Sequence, residues 1–225
     1  MNTTARFDLY AHIHKALRLF MTDTLQQLGR VDVEDPHDLG ATLAQLDALL
    51  DAARHHVDKE NRFVHPAIEA RRSGTSATIA GEHVEHLETI AALQAAGAAL
   101  RALPSSAAAH GLYRQLAAFV ADNFEHMAVE ESVHNEALWA TYTDEELLAL
   151  HHSILSSIPP QEMSQTLRWM IPALTPAERA VVLGGLPEPV QQPVLDSARA
   201  LLDDVAWRKL NGALGRPSVP GLVAA

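Results

Sequence analysis

The sequence predicts an all-α protein, an up-down-up-down antiparallel four-helix bundle followed by a smaller helical extension. Three observations carry that prediction. Apolar residues recur at alternating steps of three and four through four long stretches, the period of helices that bury one face. Short polar links separate those stretches, and short links make consecutive helices antiparallel neighbours. Beyond residue 142, two capping boxes and paired helix breakers mark out further helices.

The first helix runs from about Ala5 to Leu28, with a seam of Phe7, Tyr10, Leu17, Met21, Thr24 and Leu28. His14 occupies the seam position between Tyr10 and Leu17. A histidine there is a buried polar group that needs a partner, or a ligand. After a short turn, Asp35 is placed to cap the second helix, with Pro36 at its first position and Asp38 near the positive end of its dipole. Its seam is Leu39, Leu43, Leu46, Leu50, Ala53, His56, Glu60, Phe63 and Ala67. Residues 71–76 form a polar loop, and the third helix spans about Ser76 to Leu103. Its seam is Ile79, His83, His86, Ile90, Leu93, Gly97 and Leu100. Pro104-Ser105-Ser106 ends that helix and offers a serine cap to the fourth, whose seam is Leu112, Leu116, Phe119, Asn123, His126, Glu130 and Val133. The fourth pattern continues to about Thr141.

Thr143 to Glu146 reads as a capping box that opens a helix to about Ser157. Pro159-Pro160 breaks it, a further helix runs to about Ile171, and Thr175 to Glu178 is a second capping box. Two more helices are expected over about 189–202 and 203–214. The domain reading is therefore a bundle over 1–142, accessory helices over 143–215 and a frayed tail over 216–225.

Composition narrows the function classes. The formal net charge of -11, with no basic stripe, argues against nucleic-acid backbone binding, which needs clustered Lys and Arg. Cysteine is absent, which excludes disulfides, thiolate ligands and iron–sulfur clusters. No window reaches the length of a membrane span and the first twenty residues lack an apolar run, so the expected location is cytoplasmic, without a membrane partner.

Seven seam residues carry the candidate chemistry: His14, His56, Glu60, His83, His86, His126 and Glu130. His56 and Glu60, like His126 and Glu130, stand four residues apart and so share a helix face. Folding the chain about turns near residues 32, 73 and 104 brings the four sets into one cross-section to within a turn and a half, roughly 9 Å. The His14 set is the loosest match. Five imidazoles and two carboxylates exceed the four ligands of a tetrahedral zinc. They suit a pair of six-coordinate ions bridged by Glu60 and Glu130, with iron or manganese favoured by the ligand types.

The other candidates have plainer readings. His12 points away from His14, His55 faces a flank, and Glu82 and Glu85 read as surface charges. Glu131 is placed to hydrogen-bond a ligand ring. Tyr10 and Phe63 read as core. His37, His65, His110, His134, His151 and His152 have no partner at ligand spacing. No strand-to-helix setting for a hydrolytic triad occurs.

The segments HHVDKENRFVHPAIEA, GEHVEHL and FEHMAVEESVHNEAL, in that order and with His14 ahead of them, resemble the hemerythrin-like, or HHE cation-binding, family over about residues 8–140. The segment LRWMIPALTPAERAVVLGGLP and the WRKL run around Trp207 are similar to a helical extension found in many bacterial members. The resemblance implies two non-heme irons, with Mn or Zn as substitutes, held by His14, His56, Glu60, His83, His126 and Glu130. Oxygen-carrying members have a second helix-three histidine where this chain has Leu87, and His86 is the geometric substitute. Glu130 also replaces a more distantly spaced aspartate. Both departures weigh against a reversible oxygen carrier. The expected function is a di-iron protein that meets dioxygen, peroxide or nitric oxide, as a sensor or in iron handling. One alternative is a metal-responsive interaction module whose C-terminal helices bind a second copy or a protein partner. Another is an oxidoreductase with peroxidase-like activity.

Overall fold

A computed structural model of the chain describes residues 6–215. Among them, all regular structure is helical. In order these elements are α1 (Ala11–Gly29), α2 (Pro36–Lys59), a π-helical turn (Glu60–Val64), α3 (His65–Arg71), α4 (Ala77–Ala102) and α5 (Ser106–Val129). A second π turn (Glu130–His134) leads into α6 (Asn135–Thr141), and α7 (Asp144–Ser156) follows. Then come α8 (Pro160–Ala173), α9 (Pro176–Gly184), α10 (Glu188–Leu201) and α11 (Asp204–Ala213). The chain divides into two compact units, Met1–Pro159 and Pro160–Ala225.

In the first unit α1 packs on α2 and α5, and α4 packs on the same two helices. Leu17, Leu43, Leu46, Leu50, Leu93, Leu100, Leu112 and Leu116 fill the interior, each stabilising the fold by about 1.5–3 kcal/mol through burial. The caps form where the sequence places them. Asp35 accepts the His37 and Asp38 N–H groups, and Ser105 accepts that of Ala108.

α1 begins later than its periodicity suggests. The Asp8 carboxylate accepts the N–H groups of Tyr10 and Ala11 at 2.8 and 3.0 Å, so the chain turns into the helix at Ala11. Tyr10 is nonetheless fully buried.

The two π turns change the seams. The His65 N–H reaches the Glu60 carbonyl and the Asn135 N–H reaches the Glu130 carbonyl, each five residues back. Such a turn absorbs one extra residue and rotates everything after it by about 100° relative to a regular helix. The seam expected through Phe63 and Ala67 runs instead through Val64, His65 and Ile68. Likewise Val133 is exposed and His134 is buried in its place.

α7 belongs with the first unit rather than with the helices after it. Leu147 is fully buried in a cluster with Tyr10, Val64, Ile68, Ala137 and Leu138. Arg71 reinforces the contact, with its guanidinium on the Glu146 carboxylate and 3.6 Å from the Tyr142 ring centroid. The two compact units meet at 159/160, after the end of α7.

The second unit has its own core of Ile171, Leu183, Leu195, Ala198, Leu202 and Leu210. Thr175 and Glu178 form the expected capping box. The buried Arg179 donates to the carbonyls of Ile171 and Pro172, satisfying the last turn of α8. No helix among the described residues is long and apolar enough to cross a membrane. The tail over 216–225 lies outside the described residues.

Candidate metal centre

The seam of each long helix in the first unit turns from leucine to histidine or carboxylate at one level. His14 comes from α1, His56 from α2, His83 from α4 and His126 from α5. Glu60 and Glu130 are the first residues of the two π turns. Their side chains converge in two overlapping groups, His14–His56–Glu60–Glu130 and Glu60–His83–His126–Glu130, and in each group the ligand atoms lie within 4.8 Å of one another. His56 Nε2 is 3.2 Å from Glu60 and His83 Nε2 is 3.3 Å from it. His14 and His126 each approach Glu130 to 3.4 Å. His14 had the weakest register match in the sequence, and the structure brings it fully into the layer.

The inner atoms are short of hydrogen bonds. His14 Nε2, His56 Nε2 and all four carboxylate oxygens of Glu60 and Glu130 are buried with no hydrogen-bond partner. His83 Nε2 and His126 Nε2 face each other at 3.2 Å. Buried polar groups left so are costly unless something occupies the space between them. The donor set therefore fits cation binding by imidazole and carboxylate.

The outer nitrogens, by contrast, are partnered. His14 Nδ1 meets Glu131 at 3.0 Å, His83 Nδ1 meets Asn61 at 2.8 Å, and His126 Nδ1 meets Glu82 at 2.8 Å. Arg18 in turn forks onto Glu131. Such partners fix ring orientation and leave Nε2 as the inward lone pair. The Glu131 contact matches its sequence reading. Glu82 is a correction, since it reads as a surface charge in sequence yet orients His126 from the neighbouring helix.

Electrostatics describe the same layer without cations. Burial works against a charge on His14, but Glu131 and Glu60 outweigh it and lift the ring to about 9. Burial is likewise overcome at His126 by Glu130 and Glu82, again to about 9. His56, with no comparable compensation, is driven down to about 4 by burial. Burial and the Glu60 charge push Glu130 up to about 7. Burial would raise Glu60 as well, yet the imidazoles of His56, His14 and His83 hold it well below the usual range. Two carboxylates this close resist carrying two charges together, a conflict that a shared cation would remove.

A family model for the hemerythrin HHE cation-binding domain matches residues 6–138. The chain belongs to the hemerythrin HHE cation-binding family. No curated protein and no solved structure matched the chain.

His86 departs from the ligand expectation. It is buried in the hemerythrin domain beside His126, at 4.6 Å between ring centroids, but its Nε2 is 2.7 Å from Asp122 and it joins neither group. A spacing of three from His83 leaves it turned toward α5 and the Asp122 carboxylate. Two residues for which the sequence showed no partner at ligand spacing are buried beside the layer. His65 and His134 sit against the layer, and their Nε2 atoms lack hydrogen-bond partners. His134 had a legible signal, because it continues the four-residue steps of His126 and Glu130. His65, five residues after Glu60, is brought round only by the wider π turn.

Proposed function

We propose that the hemerythrin domain holds two iron ions and engages dioxygen, peroxide or nitric oxide, as a sensor or in iron handling. One observation carries the proposal, namely two ligand groups that share Glu60 and Glu130 and leave their inner atoms without hydrogen bonds. His14 and His56 would hold one ion, His83 and His126 the other, and the two glutamates would reach both. An iron pair so held would supply two electrons to dioxygen or peroxide.

The chain's own residues provide the setting. Glu131, Asn61 and Glu82 hold three rings in orientation, and the inward atoms of His14, His56, Glu60 and Glu130 are buried. Leu87, partly exposed on α4, offers no further ligand, which favours sensing or iron handling over reversible carriage. The short links and the order in which α1, α2, α4 and α5 pack support the up-down-up-down arrangement proposed for the bundle.

Metal analysis and absorption spectroscopy of aerobically purified protein test this reading. About two irons per chain are expected, with charge-transfer absorption in the near ultraviolet that shifts when azide or nitric oxide is added. One zinc, or no bound metal, would overturn it. Glu60→Ala should lose most of the bound iron, and full retention would show that Glu60 bridges nothing.

A further inference from the structure

His65 and His134 raise a question that packing alone does not answer. The His65 ring stacks on His83 with centroids 4.9 Å apart and planes 7° apart, and it meets His134 edge-on at 5.5 Å. A phenylalanine would fill those positions without burying a polar atom. Both Nε2 atoms instead lie buried and unpartnered. His65, His134 and Glu130 also form a group in which one ligand atom from each lies within 4.8 Å of the others.

These three groups converge without bonding, for neither Nε2 makes a hydrogen bond to Glu130. Convergence at that range suits a shared ion, because donors about 2.0–2.2 Å from a common centre lie roughly 3–4 Å from each other. The far side of one ring is also held in the manner of a ligand. His134 Nδ1 is 3.2 Å from the Tyr10 hydroxyl, and a ring nitrogen that donates there leaves the buried, unpartnered Nε2 with a free lone pair.

We propose that His65, His134 and Glu130 form a third cation subsite, contiguous with the iron pair and taking an imidazole-preferring divalent transition ion such as Zn²⁺, Co²⁺ or Fe²⁺. The proposal rests on the dinuclear reading only in that Glu130 is shared. That sharing orders the filling, because a third dication beside two others meets their repulsion. The third ion is the last on and the first off, which makes the subsite a way station for metal entering or leaving the pair.

The test is a stepwise Co²⁺ titration of the chelator-stripped full-length chain, followed by calorimetry and visible absorption, with stoichiometry checked by elemental analysis after dialysis. The wild type should take up three equivalents, the third about tenfold or more weaker than the first two. The variant carrying His65→Phe and His134→Phe should stop at two. A wild type that stops at two overturns the subsite alone, whereas fewer than two overturns the dinuclear reading along with it. A third equivalent that persists in the double variant also overturns the subsite. Should the double variant fail to fold, His134→Gln alone must weaken the third equivalent, and an unchanged affinity overturns the proposal.

Discussion

At the scale of single residues, the partners behind the candidate ligands hold their rings in place. Glu131 binds both the outer nitrogen of His14 and the Arg18 guanidinium, so its removal frees a ring and strands a cation together. Metal affinity in Glu131→Ala is expected to fall about 10–100-fold, measured by competition against a chelator of known affinity. Glu131→Gln keeps an acceptor for the ring and should lose less. Glu85→Ala, on the exposed side of α4, is the control and should change nothing. An equal loss in Glu131→Ala and Glu85→Ala would mean that the outer partners contribute only net charge.

At the scale of elements, the π turns are the features that a regular period hides. Deleting Ser132 should close the second turn into ordinary helix and rotate α6 by about 100°. Ala137 and Leu138 would then leave the cluster that holds α7, and the midpoint of thermal unfolding should drop by about 5 °C or more. An unchanged midpoint would show that the register of α6 is not fixed by packing. The same feature explains what the sequence did and did not disclose. Up to Glu60 and Glu130 the periodic seams, the caps at Asp35 and Ser105 and six ligand candidates were legible, because a 3.6-residue period carries them. Past those glutamates the period slips by one, so Phe63 and Val133 were expected inside where Val64 and His134 are found. Partners such as Asn61, Glu82 and Asp122 were hidden for another reason. They act across helices, and periodicity along one helix does not say which residue of the next stands opposite.

At the scale of the whole molecule, the buried layer ties stability to pH and to metal. In the stripped protein His56, lowered to about 4, is held neutral by the fold. Between its ordinary value of 6.5 and 4 the unfolded chain binds more protons, so its contribution is lost as pH falls through that window. His14, raised to about 9, does the reverse. Its contribution is full below 6.5 and is lost as pH rises toward 9. Thermal melts of the stripped chain from pH 4 to 9 should therefore peak near 6.5. In loaded protein the alkaline decline should vanish, because metal replaces the proton on the ring. A stripped chain whose stability rises steadily to pH 9 would contradict this account. The contacts behind the ligand rings run between elements, from α1 to the second π turn, from α4 to the first, and from α5 to α4. They tie the elements together behind the candidate ligand layer, so an ion that enters or leaves must pass between tied elements. Exchange must then wait on a breathing motion of the helix ends, and a chelator should strip the centre at a rate independent of its own concentration.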